Sequence, residues 1–167
     1  VFLECIANDK MLYNSVTAVE YEEEEAMKAR AITLHDSEVV NADFHRFCLD
    51  TDKRFNLVVG NPPFIRYQYY NPEQQKLADE IFKRSKLKRC SQLLTETGKM
   101  GFVIPSELLM VKYAQQLRQY LAKNFNKINI ISFENLVFEE IQQEVVLLLC
   151  EKNSTDEHLI EHIEVKD

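Results

Sequence analysis

The chain has 167 residues, a formal net charge of −7 and 46% hydrophobic residues, with no Pro/Gly/Ser-rich linker, internal repeat or low-complexity block. That profile excludes a disordered polymer and suits one globular domain with a real core. No apolar run approaches the roughly 20 residues of a membrane span, the first residues show no basic region followed by an apolar one, and the acidic balance predicts weak non-specific binding to nucleic acid by the bare domain.

In chain order, Val1 to Asn8 reads as helix, Ser15 to Glu20 as strand, Glu22 to Ile32 as helix and Glu38 to Ala42 as strand. Phe55 to Gly60 is a short apolar run of the kind that forms a buried parallel strand. Pro72 to Lys88 begins with proline at a first helical turn, and Cys90 to Leu94 reads as the tail of a further helix. Met100 to Ile104 is a short strand ending at Pro105. Ser106 then looks like an N-cap, and Leu109, Met110, Tyr113, Leu117 and Leu121 fall on one face of the helix it would start. Ile128 to Phe133 and Glu144 to Glu151 close the series as apolar strands, with Gln142 and Gln143 in the hairpin between them. Strands alternating with helices imply an α/β fold with a mostly parallel sheet.

Four cysteines, Cys5, Cys48, Cys90 and Cys150, show no paired spacing, which argues against a zinc site or disulfide framework and for a reducing, cytoplasmic compartment. His158 and His162 have the i, i+4 spacing of a two-histidine helix face but lie in a polar tail without a partner motif, so no metal is expected.

The chemistry concentrates after the Phe55 strand, where Gly60 is followed by Asn61-Pro62-Pro63-Phe64. Ligands of open α/β sheets sit at the carboxyl ends of strands. Asn61 offers an amide that donates and accepts, and two prolines fix φ at about −65° and remove two backbone donors, leaving carbonyls as acceptors. Phe64 adds an aromatic face, and stacking a base on such a ring contributes roughly 1–3 kcal/mol. The combination suits a flat ring with an exocyclic amine.

These residues resemble the catalytic motif of adenine-specific DNA methyltransferases. The segments FNLVVGNPPFIRYQ, GKMGFVIPSELL and ISFENLVFEEIQQEVVLLLCEK are similar to consecutive segments of the large, Eco57I-like restriction-modification members of that family. The resemblance implies a Rossmann-like fold that uses S-adenosylmethionine, with an antiparallel last strand. It implies methyl transfer to the amine of an adenine flipped out of double-stranded DNA, at a cost of a few kcal/mol for the unstacking. Asn61 and the Pro62 carbonyl would accept the amine's hydrogens, Phe64 would stack, and Phe138 would pack on the base edge; an aromatic in Phe138's position is more often part of the core.

For the cofactor, Glu20 ends a strand, where an acidic residue can accept hydrogen bonds from both ribose hydroxyls. It also reads as the first of a run of acids at an exposed helix start, favourable to the helix dipole. By resemblance, Asp43 would accept from the cofactor's adenine amine and Phe44 would cover its face. Arg66 is a candidate for a DNA phosphate. The basic stretch Lys83, Arg84, Lys86, Lys88 and Arg89 either faces phosphates or is a solvated helix end.

In the family a first strand and a glycine-rich turn precede this start, and none of Gly60, Gly98 and Gly101 can stand in for that turn. The expectation is therefore a catalytic domain over residues 1–152, incomplete at its amino end, with unpaired edges on the strands ending at Glu20 and Gly60. Residues 153–167 would form a tail leading toward a target-recognition region, and a fused or associated nuclease would be a partner. Two other readings stay open: a non-catalytic DNA-binding or assembly module with this fold, and methylation of a protein glutamine or an RNA guanine.

Overall fold

The computed structural model describes residues 2–9, 12–61, 86–110, 114–134, 144–152 and 157–166. It divides into two compact units, Val1–Asp52 and Lys53–Asp167.

In the first unit, helix α1 (Phe2–Asn8) is followed by strand β1 (Val16–Glu20), helix α2 (Glu23–Arg30), strand β2 (Ser37–Asn41) and helix α3 (Phe44–Asp50). The β1–α2–β2 stretch is a parallel crossover, with Val16 opposite Ser37 and Glu20 opposite Asn41. Helix α2 carries Glu23, Glu24 and Glu25 in its first turn and Lys28 and Arg30 in its last, a distribution that complements the helix dipole at both ends. Ala26, fully buried, fixes its inner face.

The second unit holds a five-stranded sheet in the order β3-β4-β6-β5-β7. Its strands are β3 (Phe55–Gly60), β4 (Leu94–Pro105), β5 (Lys127–Phe133), β6 (Val145–Glu151) and β7 (Leu159–Val165). Pairings β3–β4 and β5–β7 are parallel, and β6 runs antiparallel to both β4 and β5. Helices α4 (Lys86–Gln92) and α5 (Gln115–Asn124) complete it. Met100, Phe102 and Ile104 of β4 and Val146, Leu148 and Cys150 of β6 alternate onto one face and are buried with Leu87, Cys90, Leu117, Leu121 and Phe125. Period-two alternation in the strands and four-residue spacing in α5 produce this core. Between α4 and α5, Ser91 Oγ lies 2.6 Å from the Tyr120 hydroxyl. Lys152 Nζ donates to the Ser91 carbonyl at 2.9 Å.

The described residues thus form an α/β fold with mostly parallel pairing, and β6 is the antiparallel strand expected near the end. The strands that end at Glu20 and Gly60 belong to different sheets. Among the described residues no helix is long and apolar enough to cross a membrane.

Three expectations need correction. Strand β4 starts six residues before Met100, because its register against β3 jumps from Phe55↔Leu94 to Leu57↔Lys99. Gly98 allows that irregularity: a Cβ there would meet Leu94 Cβ at 2.9 Å and the Phe55 carbonyl at 3.1 Å. Ser106 does not cap a long helix. It is the first residue of a 3-10 turn, Ser106–Leu109, whose N-cap position is Pro105. Its hydroxyl donates instead to Glu144 Oε2 at 3.4 Å. The α-helix begins at Gln115, and Met110, expected on its buried face, is 80% exposed. Finally, part of the polar segment read as a tail supplies edge strand β7, because its backbone pairs with β5 over seven residues from Lys127↔Leu159 to Phe133↔Val165. His158 and His162 therefore do not share a helix; His162 Nε2 lies 2.9 Å from Ser132 Oγ across the β5–β7 pair.

Candidate functional site

The carboxyl ends of β1 and β2 form a tightly bonded corner. Glu20 is the last residue of β1 and half-buried, and α2 begins only at Glu23, so Glu20 is not part of the exposed helix start. Its carboxylate folds back on the following backbone: Oε1 accepts from the Tyr21 N–H at 2.8 Å and the Glu22 N–H at 3.2 Å. These bonds use Oε1 alone, which leaves Oε2 as an acceptor.

The neighbouring strand end holds this corner. The Ala42 N–H donates to the Glu20 carbonyl at 3.0 Å. Asn41 Nδ2 donates to the same carbonyl at 3.1 Å and to the Tyr21 carbonyl at 2.9 Å. Two residues on, Asp43 is the N-cap of α3, its Oδ1 accepting from the Arg46 N–H at 3.1 Å. Capping occupies one carboxylate oxygen and leaves the other for a ligand. Phe44, half-buried, opens the same helix.

Glu20 and Asp43 are therefore brought to one end of one parallel strand pair. Two open carboxylate oxygens there suit a ligand that presents hydroxyls and an amine, which is the donor set of an adenosine. A shallow cleft of about 100 Å³ in the same unit, lined among others by Leu3, Val16, Ile32 and Ser37, lies at the opposite, amino end of these strands and is separate from this corner. Of these groups, the role of Asn41 was not read from the sequence. The available signal was its type, since asparagine is depleted in strands and a strand-terminal one suggests a side chain bonded to backbone.

In the second unit Asn61 follows the last residue of β3 directly and is exposed. Gly60 makes that exit possible. Its register partner is Phe102, and a Cβ at position 60 would lie 3.0 Å from Phe102 Cε1. Glycine lets the strand end pass close to the buried ring, and that contact sets where Asn61 leaves the sheet.

Pro62, Pro63, Phe64, Arg66, Lys83, Arg84 and Phe138 lie outside the described residues, as do Gln142 and Gln143. Lys86 opens α4, and Lys88, expected with it on a basic surface, is half-buried with its Nζ 5.8 Å from the centroid of the Tyr120 ring. Lys88 thus lies over the Tyr120 ring of α5.

Residues 5–138 match the family model described as Eco57I restriction-modification methylase. Among characterised proteins, the chain is 30% identical over 131 residues to the type II restriction enzyme and methyltransferase RM.Eco57I of Escherichia coli, covering 70% of this chain and 13% of that protein. Among solved structures, a Listeria monocytogenes protein assigned to the class I S-adenosylmethionine-dependent methyltransferases superposes with a TM-score of 0.66 at 12% identity, over 96% of this chain and 53% of that one. A nuclease-deletion mutant of the type ISP restriction-modification enzyme LlaGI, determined with a DNA substrate mimic, gives 0.63 at 13% identity, over 97% of this chain and 26% of that one. The fold is that of the S-adenosylmethionine-dependent methyltransferases, and the chain spans about an eighth of the length of RM.Eco57I.

Proposed function

The chain belongs to the Eco57I restriction-modification methylase family, and from that premise we propose that it carries the cofactor-binding and base-holding residues of an enzyme that methylates the exocyclic amine of adenine in DNA. The observation that carries the reading is the placement of chemistry at strand ends: Glu20 and Asp43 at the carboxyl ends of β1 and β2, and Asn61 immediately beyond β3. All three fall within the matched residues 5–138.

The cofactor is S-adenosylmethionine, which when bound supplies a methyl group on a positively charged sulfur. Glu20 accepts from the ribose hydroxyls, Asp43 from the adenine amine of the cofactor, and Phe44 covers that ring. Asn61 and the Pro62 carbonyl accept the two hydrogens of the target amine, which aims the nitrogen lone pair and fixes the amine in place, so that orientation supplies a large part of the rate. Phe64 stacks on the flipped base and offsets part of its unstacking cost, Pro63 holds the turn, and Phe138 closes the base edge. No side chain acts as a covalent nucleophile. Arg66, Lys83, Arg84 and Lys86 contact DNA phosphates, and the intact protein acts in the cytoplasm with a target-recognition region and a restriction nuclease, fused or associated.

The test is transfer of labelled methyl groups from S-adenosylmethionine to DNA, RNA and protein offered separately to the intact protein. The expected product is N6-methyladenine in DNA, reduced at least 100-fold by Asn61→Ala because the amine loses its main acceptor. Label in RNA guanine or protein glutamine, or label in DNA that Asn61→Ala leaves unchanged, contradicts the proposal.

A further inference from the structure

Resting on the reading of Glu20 as the ribose-binding acid, we propose that Asn41 is a positioning residue for cofactor binding: its side-chain amide clamps the corner that aims the Glu20 carboxylate. The corner has no regular secondary structure to hold it, since β1 ends at Glu20 and α2 starts at Glu23. Its shape depends on a few bonds. Glu20 Oε1 reaches the Tyr21 and Glu22 N–H groups only while the chain keeps its bend at those two residues.

The bend is fixed from β2. One ladder bond, from the Ala42 N–H, ties down the Glu20 carbonyl. The Tyr21 carbonyl, one residue past the ladder, is reached by the Asn41 amide, which uses its second N–H on the Glu20 carbonyl. A single NH2 group thus spans two successive carbonyls and holds the peptide between them. Only an amide of this length supplies two donors at that point, as aspartate has none and leucine no polar atom. With the Tyr21 peptide fixed, Oε1 is held by two backbone donors and Oε2 is left in one direction, ready for the ribose. Preorganisation of this kind raises affinity by lowering the ordering cost of binding. Asn41 touches no ligand in this scheme; it acts through Glu20.

The experiment compares the intact wild-type protein with Asn41→Asp, which keeps shape without donors, and Asn41→Leu, which keeps approximate volume without charge. Two readouts are taken: amide hydrogen exchange at Tyr21 and Glu22 without ligand, and the dissociation constant for S-adenosylhomocysteine by calorimetry. Glu20→Gln serves as the probe of the ribose reading itself. Both Asn41 variants are expected to exchange at least tenfold faster at Tyr21 and Glu22, with Ala18 in mid-strand unchanged, and to bind S-adenosylhomocysteine at least tenfold more weakly. Unchanged exchange at Tyr21 and Glu22 overturns the clamp, and faster exchange with affinity within twofold of wild type overturns its positioning role. If Glu20→Gln also leaves affinity unchanged, the assignment of Glu20 to the ribose falls instead, and the exchange data alone decide whether the clamp exists.

Discussion

Asp43 combines two roles that its neighbours make visible. Its Oδ1 satisfies the Arg46 N–H at the start of α3, and in the proposed site its other oxygen meets the cofactor's adenine. Serine caps a helix as well as aspartate does but is too short to serve both partners, so Asp43→Ser separates the structural from the ligand role. Cys150 makes a contrasting case of a side chain with a structural role alone. It is buried in β6, and burial pushes its thiol from 9.0 up to about 12. The folded protein keeps a proton there that the unfolded chain releases above pH 9, so the folded state binds more protons and stability falls as pH rises. The contribution is fully present below pH 9 and is lost between about 9 and 12. Comparing denaturation midpoints of wild type and Cys150→Ala from pH 8 to 10.5, the wild-type curve is expected to drop more steeply above pH 9. At this scale the strand-end positions of Glu20, Asp43 and Asn61 were legible in the sequence from the apolar runs that precede them. The sequence did not disclose Asn41, whose role depends on a register between strands that only the folded sheet sets.

Strand β6 is the middle strand of the five-stranded sheet, hydrogen-bonded on both sides, to β4 and β5. Leu148 is 1% exposed and faces Phe102 and Ile130 in register, whereas Leu149, on the opposite face, is 42% exposed. Truncating a buried leucine costs the lost transfer free energy plus a cavity, about 2–5 kcal/mol, and truncating a half-exposed one well under half of that. Leu148→Ala is therefore expected to lower unfolding free energy by about 3 kcal/mol and Leu149→Ala by less than about 1 kcal/mol, read from urea denaturation. Equal losses would show that both faces of β6 are equally packed. The apolar run of β6 made it legible in sequence. Strand β7 was not legible, because Leu159-Ile160-Glu161-His162-Ile163-Glu164-Val165 mixes polar and apolar residues without clean alternation and takes its form from pairing with β5. The 3-10 turn after Pro105 was hidden for a related reason, since apolar spacing alone does not distinguish one helix from two short ones.

At the scale of the whole molecule, the sequence indicated the strands and their mostly parallel pairing through apolar runs alternating with helices. Which strands share a sheet was less accessible, because hydrophobic pattern specifies a face and not a partner. The described strands form a two-stranded and a five-stranded sheet, within units divided between Asp52 and Lys53. The proposed cofactor residues Glu20, Asp43 and Phe44 all lie in the first unit, and Asn61 lies in the second. On the proposed reading, variants of Glu20 and Asp43 in the first unit are expected to weaken cofactor binding, while Asn61→Ala is expected to reduce methyl transfer.

In the proposed function, S-adenosylmethionine is held by the strand ends of the first unit. The most direct measurement is a calorimetric titration of S-adenosylhomocysteine into the intact protein and into its Asp43→Ser variant, with thermal melting of both. Stoichiometric binding to wild type is expected, with at least tenfold weaker binding to Asp43→Ser at a melting temperature close to wild type, because the cap of α3 survives. Equal affinity in the two proteins, or no binding by folded wild type, would contradict this placement of the cofactor.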